Sequence, residues 1–118
     1  MKVLVLGASL KEERYSNKAI KMLNEYKHDV LAIGLRSGMV DKTLIETEMT
    51  QFNDVDTVTL YLNPARQKGY YQYILNLKPR RVIFNPGSEN PEFYELLQEE
   101  NIENEVACTL VLLRTDQF

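Results

Sequence analysis

The apolar positions of this chain fall into short unbroken runs separated by stretches with three-and-four spacing. Val3–Leu6, Val30–Ile33, Val58–Leu62, Val82–Phe84 and Val106–Cys108 are β-branched or apolar runs with little polar alternation, the pattern of strands buried on both faces. Between them, Ala19, Met22, Leu23 and Tyr26, then Tyr70, Ile74 and Leu77, then Phe93, Leu96 and Leu97 recur at intervals that fill one side of a helix. Asn63-Pro64 and Asn90-Pro91 each set a capping side chain before a proline, whose missing N–H costs nothing in the first turn. Ser16 is placed to cap the first helix in the same way.

Strands alternating with helices predict a parallel sheet with right-handed crossovers. The expected class is therefore α/β: a Rossmann-like, doubly wound, mainly parallel five-stranded sheet with helices on both faces. Residues 39–55 break the rhythm, being too polar for a full amphipathic helix, and are expected to form a small strand or hairpin and a turn. The tail from Thr109 to Phe118 is apolar through Leu113, and its periodicity leaves strand and helix both open.

Composition narrows the functional classes. A chain of 118 residues, 44% hydrophobic and 26% charged, is expected to be a single domain, 1–118, able to bury a core without disulfides or metals. A net charge of -3 disfavours nucleic acid or an anionic membrane as the main partner, because a surface that tracks phosphates needs clustered Lys and Arg. The one cysteine, Cys108, rules out an internal disulfide and any cysteine-based zinc cluster, and a reducing cytoplasm is the expected location. The apolar start is shorter than a signal-peptide core or a spanning helix.

The chemistry gathers at one edge of the sheet. In a doubly wound sheet, ligands lie outside the carboxyl ends of the strands, near the point where strand order reverses. There the sequence places Gly7, Ala8 and Ser9 after the first strand, Gly34 to Gly38 after the second, Asn63 and Pro64 after the third, and Asn85, Pro86, Gly87 and Ser88 after the fourth. Gly7-Ala8-Ser9 offers main-chain N–H groups and a hydroxyl, and the following helix can aim its positive end at the same place. The loop is longer than G-x-G-x-x-G and lacks its second and third glycines, which speaks against an NAD-type pyrophosphate seat. At the end of the second strand, where NAD enzymes carry an acid for the ribose diol, this chain reads Ala32-Ile33-Gly34-Leu35-Arg36. Arg36 suits a phosphate on the ribose, either the 2′-phosphate of NADP or the 3′-phosphate of coenzyme A.

Catalytic constellations are missing. The single histidine, His28, falls between the first helix and the second strand, at the wrong edge of the sheet to join Cys108 or a serine in a triad. A lone cysteine is more often a small buried hydrophobe than a nucleophile, and Glu12-Glu13, Glu99-Glu100 and Glu103 read as solvated faces.

Four segments in order, V-L-G-A-S with Y-S at 15 and 16, V-D-T-V at 55–58, N-P-G-S-E-N-P-E at 85–92 and A-C at 107–108, resemble the small bacterial CoA-binding-domain family, over essentially the whole chain. That family is similar to the CoA-binding domain of the succinyl-CoA synthetase α subunit. The resemblance implies that Gly7, Ala8 and Ser9 seat phosphate, that Tyr15 and Ser16 close the loop over it, and that Arg36 is the cationic partner. It further implies that Leu62, Asn63 and Pro64 form one wall and Asn85, Pro86, Gly87 and Ser88 the other. Two departures stand out: relatives commonly end the second strand in a Val-Asn-Pro-like turn, and often carry Trp where Ile83-Phe84 stand here. The synthetases also need a domain bearing a phosphorylated histidine, which this chain lacks, so binding without the ligase reaction is expected.

The expected function is thus binding of coenzyme A or an acyl-CoA, a small-molecule nucleotide cofactor, with no protein partner indicated. An NADP-binding oxidoreductase or redox-sensing module is the chief alternative, with Tyr15 and Tyr61 its only candidate proton donors, and a ligand-free interaction scaffold is another. The coenzyme reading requires main-chain N–H groups at residues 7–9 to be left unbound by the protein's own carbonyls.

Overall fold

The computed structural model describes residues 1–118. In chain order the elements are β1 (Lys2–Ala8), α1 (Tyr15–Glu25), β2 (Asp29–Gly34), β3 (Gly38–Val40), β4 (Thr43–Glu46), β5 (Thr57–Leu60), α2 (Pro64–Gln67), a 3₁₀ turn (Lys68–Tyr70), α3 (Tyr71–Leu77), β6 (Arg81–Phe84), α4 (Pro91–Glu99), β7 (Glu103–Val106) and α5 (Thr109–Arg114). One seven-stranded sheet runs β3-β4-β2-β1-β5-β6-β7. Every neighbouring pair is parallel except the β3–β4 hairpin. Strand order reverses at β1, which has β2 on one side and β5 on the other, so the crevice of a doubly wound sheet opens there.

The two-sided burial expected of the central strand is met: Val3, Leu4, Val5 and Leu6 are all fully buried. Their alternation divides the core. Leu4 and Leu6 join Ile74, Phe84, Phe93 and Leu97 beneath α3 and α4, whereas Val3 and Val5 join Ile20, Leu23, Ala32 and Leu113 beneath α1 and α5. Burying each of these aliphatic side chains contributes about 1.5–3 kcal/mol. Aromatic contacts reinforce the first layer, Tyr71 stacking on Phe93 at 4.4 Å and Tyr94 meeting the Phe84 ring edge-on at 4.7 Å.

Helix boundaries follow from capping chemistry. The Asn63 and Asn90 side chains accept from the N–H groups of Arg66 and Phe93, each followed by proline at the first helical position. Helix α3 ends on Lys78, which takes a left-handed conformation (φ 51°) just before Pro79. Ser16 does not cap α1. The helix starts one residue before it, with Arg14 at the capping position and no side-chain bond there, and Ser16 is buried in the first turn.

Three further expectations change. The sheet has seven strands rather than five, because the hairpin within 39–55 joins the main sheet by pairing β4 with β2. The last strand is Glu103–Val106, not Val106–Cys108. It pairs with β6 alone at the sheet edge, so it carries Glu and Asn that a search for unbroken apolar runs passes over. The third strand covers Thr57–Leu60 instead of Val58–Leu62, although the Tyr61 N–H still extends the ladder to the Leu6 carbonyl at 2.9 Å. The open choice for the tail resolves as helix α5. No helix is long and apolar enough to cross a membrane.

Candidate functional site

The turn after β1 is built by three residues. Gly7 has φ +98°, and a side chain there would meet the Tyr61 carbonyl carbon at 3.0 Å, so only glycine lets the strand skip register between Leu6 and Ala8. Ser9 then holds the turn twice, its Oγ accepting from the Lys11 N–H at 3.1 Å and its carbonyl from Asn17 Nδ2 at 2.9 Å. Across a trans peptide, C=O and N–H point in opposite directions. With the Ser9 carbonyl drawn to Asn17, the Leu10 N–H is directed away from it.

The Ser9 turn and the first turn of α1 leave four main-chain donors open. Gly7 and Ala8 lie within β1, but the N–H groups of Ser9 and Leu10, and of Tyr15 and Ser16 in the first turn of α1, bind no acceptor of the protein. All four residues line a cleft of about 580 Å³ at the carboxyl ends of β1, β2 and β5. The cleft also collects Lys11, Arg14, Arg36 and Arg66 and has no Asp or Glu in its lining. None of these four cations has a carboxylate within 4 Å, whereas Arg80 and Arg81, at the opposite ends of the strands, are paired with Asp56, Glu103 and Glu105. On a chain of net charge -3, a concave surface free of acids, with open amides and four unpaired cations, is locally electropositive.

The sequence-predicted residues divide here. Gly7, Ala8, Ser9, Tyr15, Ser16, Arg36, Leu62 and Pro86 come together in the cleft. Tyr15 stands at its rim, with Lys18 Nζ 5.3 Å from its ring centre. Asn63, Pro64, Asn85, Gly87 and Ser88 are outside the lining. Asn63 spends its side chain on the α2 cap, accepting from Arg66 N–H at 2.9 Å. Asn85 is turned inward, donating to Thr59 Oγ1 and the Leu60 carbonyl at 2.6 and 2.9 Å and accepting from Thr109 N–H at 2.8 Å. Ser88 Oγ donates to the Asn85 carbonyl at 2.7 Å, and Gly87, at φ +95°, gives its N–H to Glu89.

Lys11, Arg14, Arg66 and Tyr70 are cleft residues that sequence reasoning passed over. Arg66 carried a usable signal, since the predicted Asn63-Pro64 cap puts it in the first turn of a helix starting at the strand's carboxyl end. Lys11 and Arg14 sit in a charged run, K-E-E-R, that gives no hint of which members face inward.

The remaining reactive groups lie elsewhere or are buried. Tyr61 reaches the cleft, but its hydroxyl is buried without a hydrogen-bond partner, and burial pushes it up to about 12. His28 is at the amino edge of the sheet, 3.3 Å from the Met1 amino group. Cys108 is half-buried at the start of α5. No group of three His, Cys, Asp or Glu side chains comes together as a metal site.

Comparison with known proteins gives a consistent picture. No curated protein sequence matches the chain. Among solved structures, a crystal structure of an uncharacterized protein is 45% identical, with a TM-score of 0.96 over 99% of this chain and 97% of its own. The structure of cell-free ID.343 from Thermus thermophilus shares the fold at 19% identity, with a TM-score of 0.87 over 99% of this chain and 90% of that one. Prb, described as the PH1109 protein redesigned for binding, does so at 20% identity and a TM-score of 0.84, covering 99% of this chain and 84% of that one. A family model described as CoA binding domain matches residues 1–114, so the chain belongs to the CoA-binding-domain family.

Proposed function

We propose that residues 1–118 act as one domain that binds coenzyme A, free or acylated, in the cleft at the carboxyl ends of β1, β2 and β5. The observation that carries this reading is the coincidence of the open N–H groups of Ser9, Leu10, Tyr15 and Ser16 with four unpaired cations and no carboxylate. The Ser9 and Leu10 amides, on the turn that Gly7 and Ala8 lead into, and the first turn of α1 suit the diphosphate, with Lys11 and Arg14 beside it. Arg36 suits the 3′-phosphate, and Leu62, Tyr70 and Pro86 offer an apolar wall to the pantetheine arm. Asn63, Pro64, Asn85, Gly87 and Ser88 act from behind that wall as its framework. The activity proposed is binding, and no side chain of the cleft is assigned a bond-making role.

NADP is the second reading, favoured by Arg36 standing where an acid would select NAD. A thermal-shift series with CoA, dephospho-CoA, NADP and NAD separates the two. A ligand at 100 times its dissociation constant stabilises the native state by about 2.7 kcal/mol, which raises the melting temperature by roughly 10 °C in a domain of this size. CoA is expected to stabilise most and dephospho-CoA less, with Arg36→Ala erasing the difference. Stabilisation by NADP but not by CoA, or by none of the four, overturns the proposal.

A further inference from the structure

The β5 and β6 side of the cleft rests on one fully buried side chain. Gln67, at the end of α2, is 0% exposed. Its Nε2 donates to the Leu62 carbonyl at 2.8 Å and to the Ser88 carbonyl at 2.7 Å, while its Oε1 accepts from Asn90 Nδ2 at 3.0 Å. Asn90 Nδ2 also donates to Tyr71 Oη at 2.7 Å. The orientation of the Gln67 amide is fixed by chemistry, because both carbonyls can only accept. One side chain thereby joins the loop after β5, which carries Leu62, to the loop after β6, which carries Pro86. Both of those residues line the cleft. Neither Gln67 nor its partners bond to the Ser9 turn, to the first turn of α1 or to Arg36.

We infer that Gln67 is a positioning residue that sets the spacing of Leu62 and Pro86, and through it the affinity for the pantetheine arm, independently of the nucleotide half. This rests on the coenzyme A reading of the cleft. A buried amide with three satisfied partners is stiff, and losing its donors leaves two carbonyls unpaired in a dry interior. The loops then relax apart, and the wall loses its fit to an apolar chain. The Ser9 turn, the first turn of α1 and Arg36 are on other elements and keep their shape, and Arg66 stays anchored by its own N–H bond to Asn63 Oδ1 at 2.9 Å.

The test compares two ligands by titration calorimetry: coenzyme A, and adenosine 3′-phosphate 5′-diphosphate, its nucleotide half without the arm. Gln67→Glu keeps the side-chain length but removes the donors. It is expected to weaken coenzyme A binding about tenfold while leaving the nucleotide half within about twofold. Should Gln67→Glu fail to fold, Tyr71→Phe, which removes only the outermost acceptor, is expected to shift the ratio of the two affinities in the same direction by about threefold. Equal losses for both ligands, or an unchanged ratio, overturn the assignment while the coenzyme reading stands. A wild-type protein that binds neither ligand overturns that reading, and this inference with it.

Discussion

Gly34→Ala places a methyl group where β2 passes the end of β1. An ideal Cβ at Gly34 lies 2.2 Å from the Ala8 carbonyl oxygen, 3.0 Å from the Ala8 carbonyl carbon and 3.1 Å from Ile45 Cγ2. A close C···O approach is about 3.3 Å, so the strands must part by about 1 Å at this point. Two of the three opposing atoms are backbone, and Ala8 is itself buried, so no flexible side chain can give way. Overpacking of this kind costs about 1–3 kcal/mol, and contact with main chain puts this site near 3. At about 4 °C per kcal/mol for this chain length, the melting temperature should fall by roughly 12 °C. The displaced peptide adjoins Ser9, so affinity for coenzyme A should fall as well. Gly69→Ala is the internal control: nothing lies within 4 Å of its Cβ, it sits in the 3₁₀ turn, and it should gain about 0.4–1 kcal/mol. Differential scanning calorimetry of both variants decides the matter. A Gly34→Ala protein that melts within about 3 °C of wild type would show that the close approach imposes no constraint.

Other expectations concern the two ends of the sheet. Asp56 accepts from Arg80 at 3.0 and 3.1 Å and from Thr57 Oγ1 at 2.7 Å, and the Arg80 bond holds its carboxyl below the ordinary 3.8. A carboxyl depressed in the folded state contributes stability above its unfolded value that is lost as pH falls through the folded one. Asp56→Asn should therefore destabilise at pH 7 and match wild type once pH is well below 3.8, as urea melts at the two pH values will reveal. Asn85→Ala strips partners from the Leu60 carbonyl and the Thr109 N–H and should cost about 2–4 kcal/mol in urea unfolding; a loss under about 1 kcal/mol contradicts the network. Coenzyme A affinity should drop as NaCl is raised from about 50 to about 500 mM. Lys11→Ala, Arg14→Ala and Arg66→Ala should each flatten that dependence, and a salt-independent affinity would contradict the electrostatic account.

The central strands were legible because burial on two faces demands unbroken apolar runs, and Val3–Leu6 and Val82–Phe84 meet that demand from either side. The Asn-Pro helix starts were legible because a cap is local chemistry. What escaped is what depends on neighbours. β7 has a partner on one side only, so its Glu103, Asn104 and Glu105 show no apolar run. Within the site, the edge of the sheet and the Gly7 turn could be read from position, since a doubly wound sheet dictates where its crevice falls. The inward turn of Asn85 and Ser88 could not, because an Asn that braces three segments is indistinguishable in sequence from one that meets a ligand. Gln67 went unnoticed for the same reason: an isolated glutamine in a polar helix has no periodic signature.

The cleft draws its cations from separate crossovers: Lys11 and Arg14 from the first, Arg36 from the turn after β2, and Arg66 from the connection after β5. The four are spread over residues 11–66, and they come together only when β2, β1 and β5 have found their parallel register. Parallel pairing across crossovers is the slow part of assembling such a topology, since distant segments must meet before any contact rewards them. Ligand capture during refolding should consequently report completion of the β2-β1-β5 centre of the sheet, lagging behind helix signals.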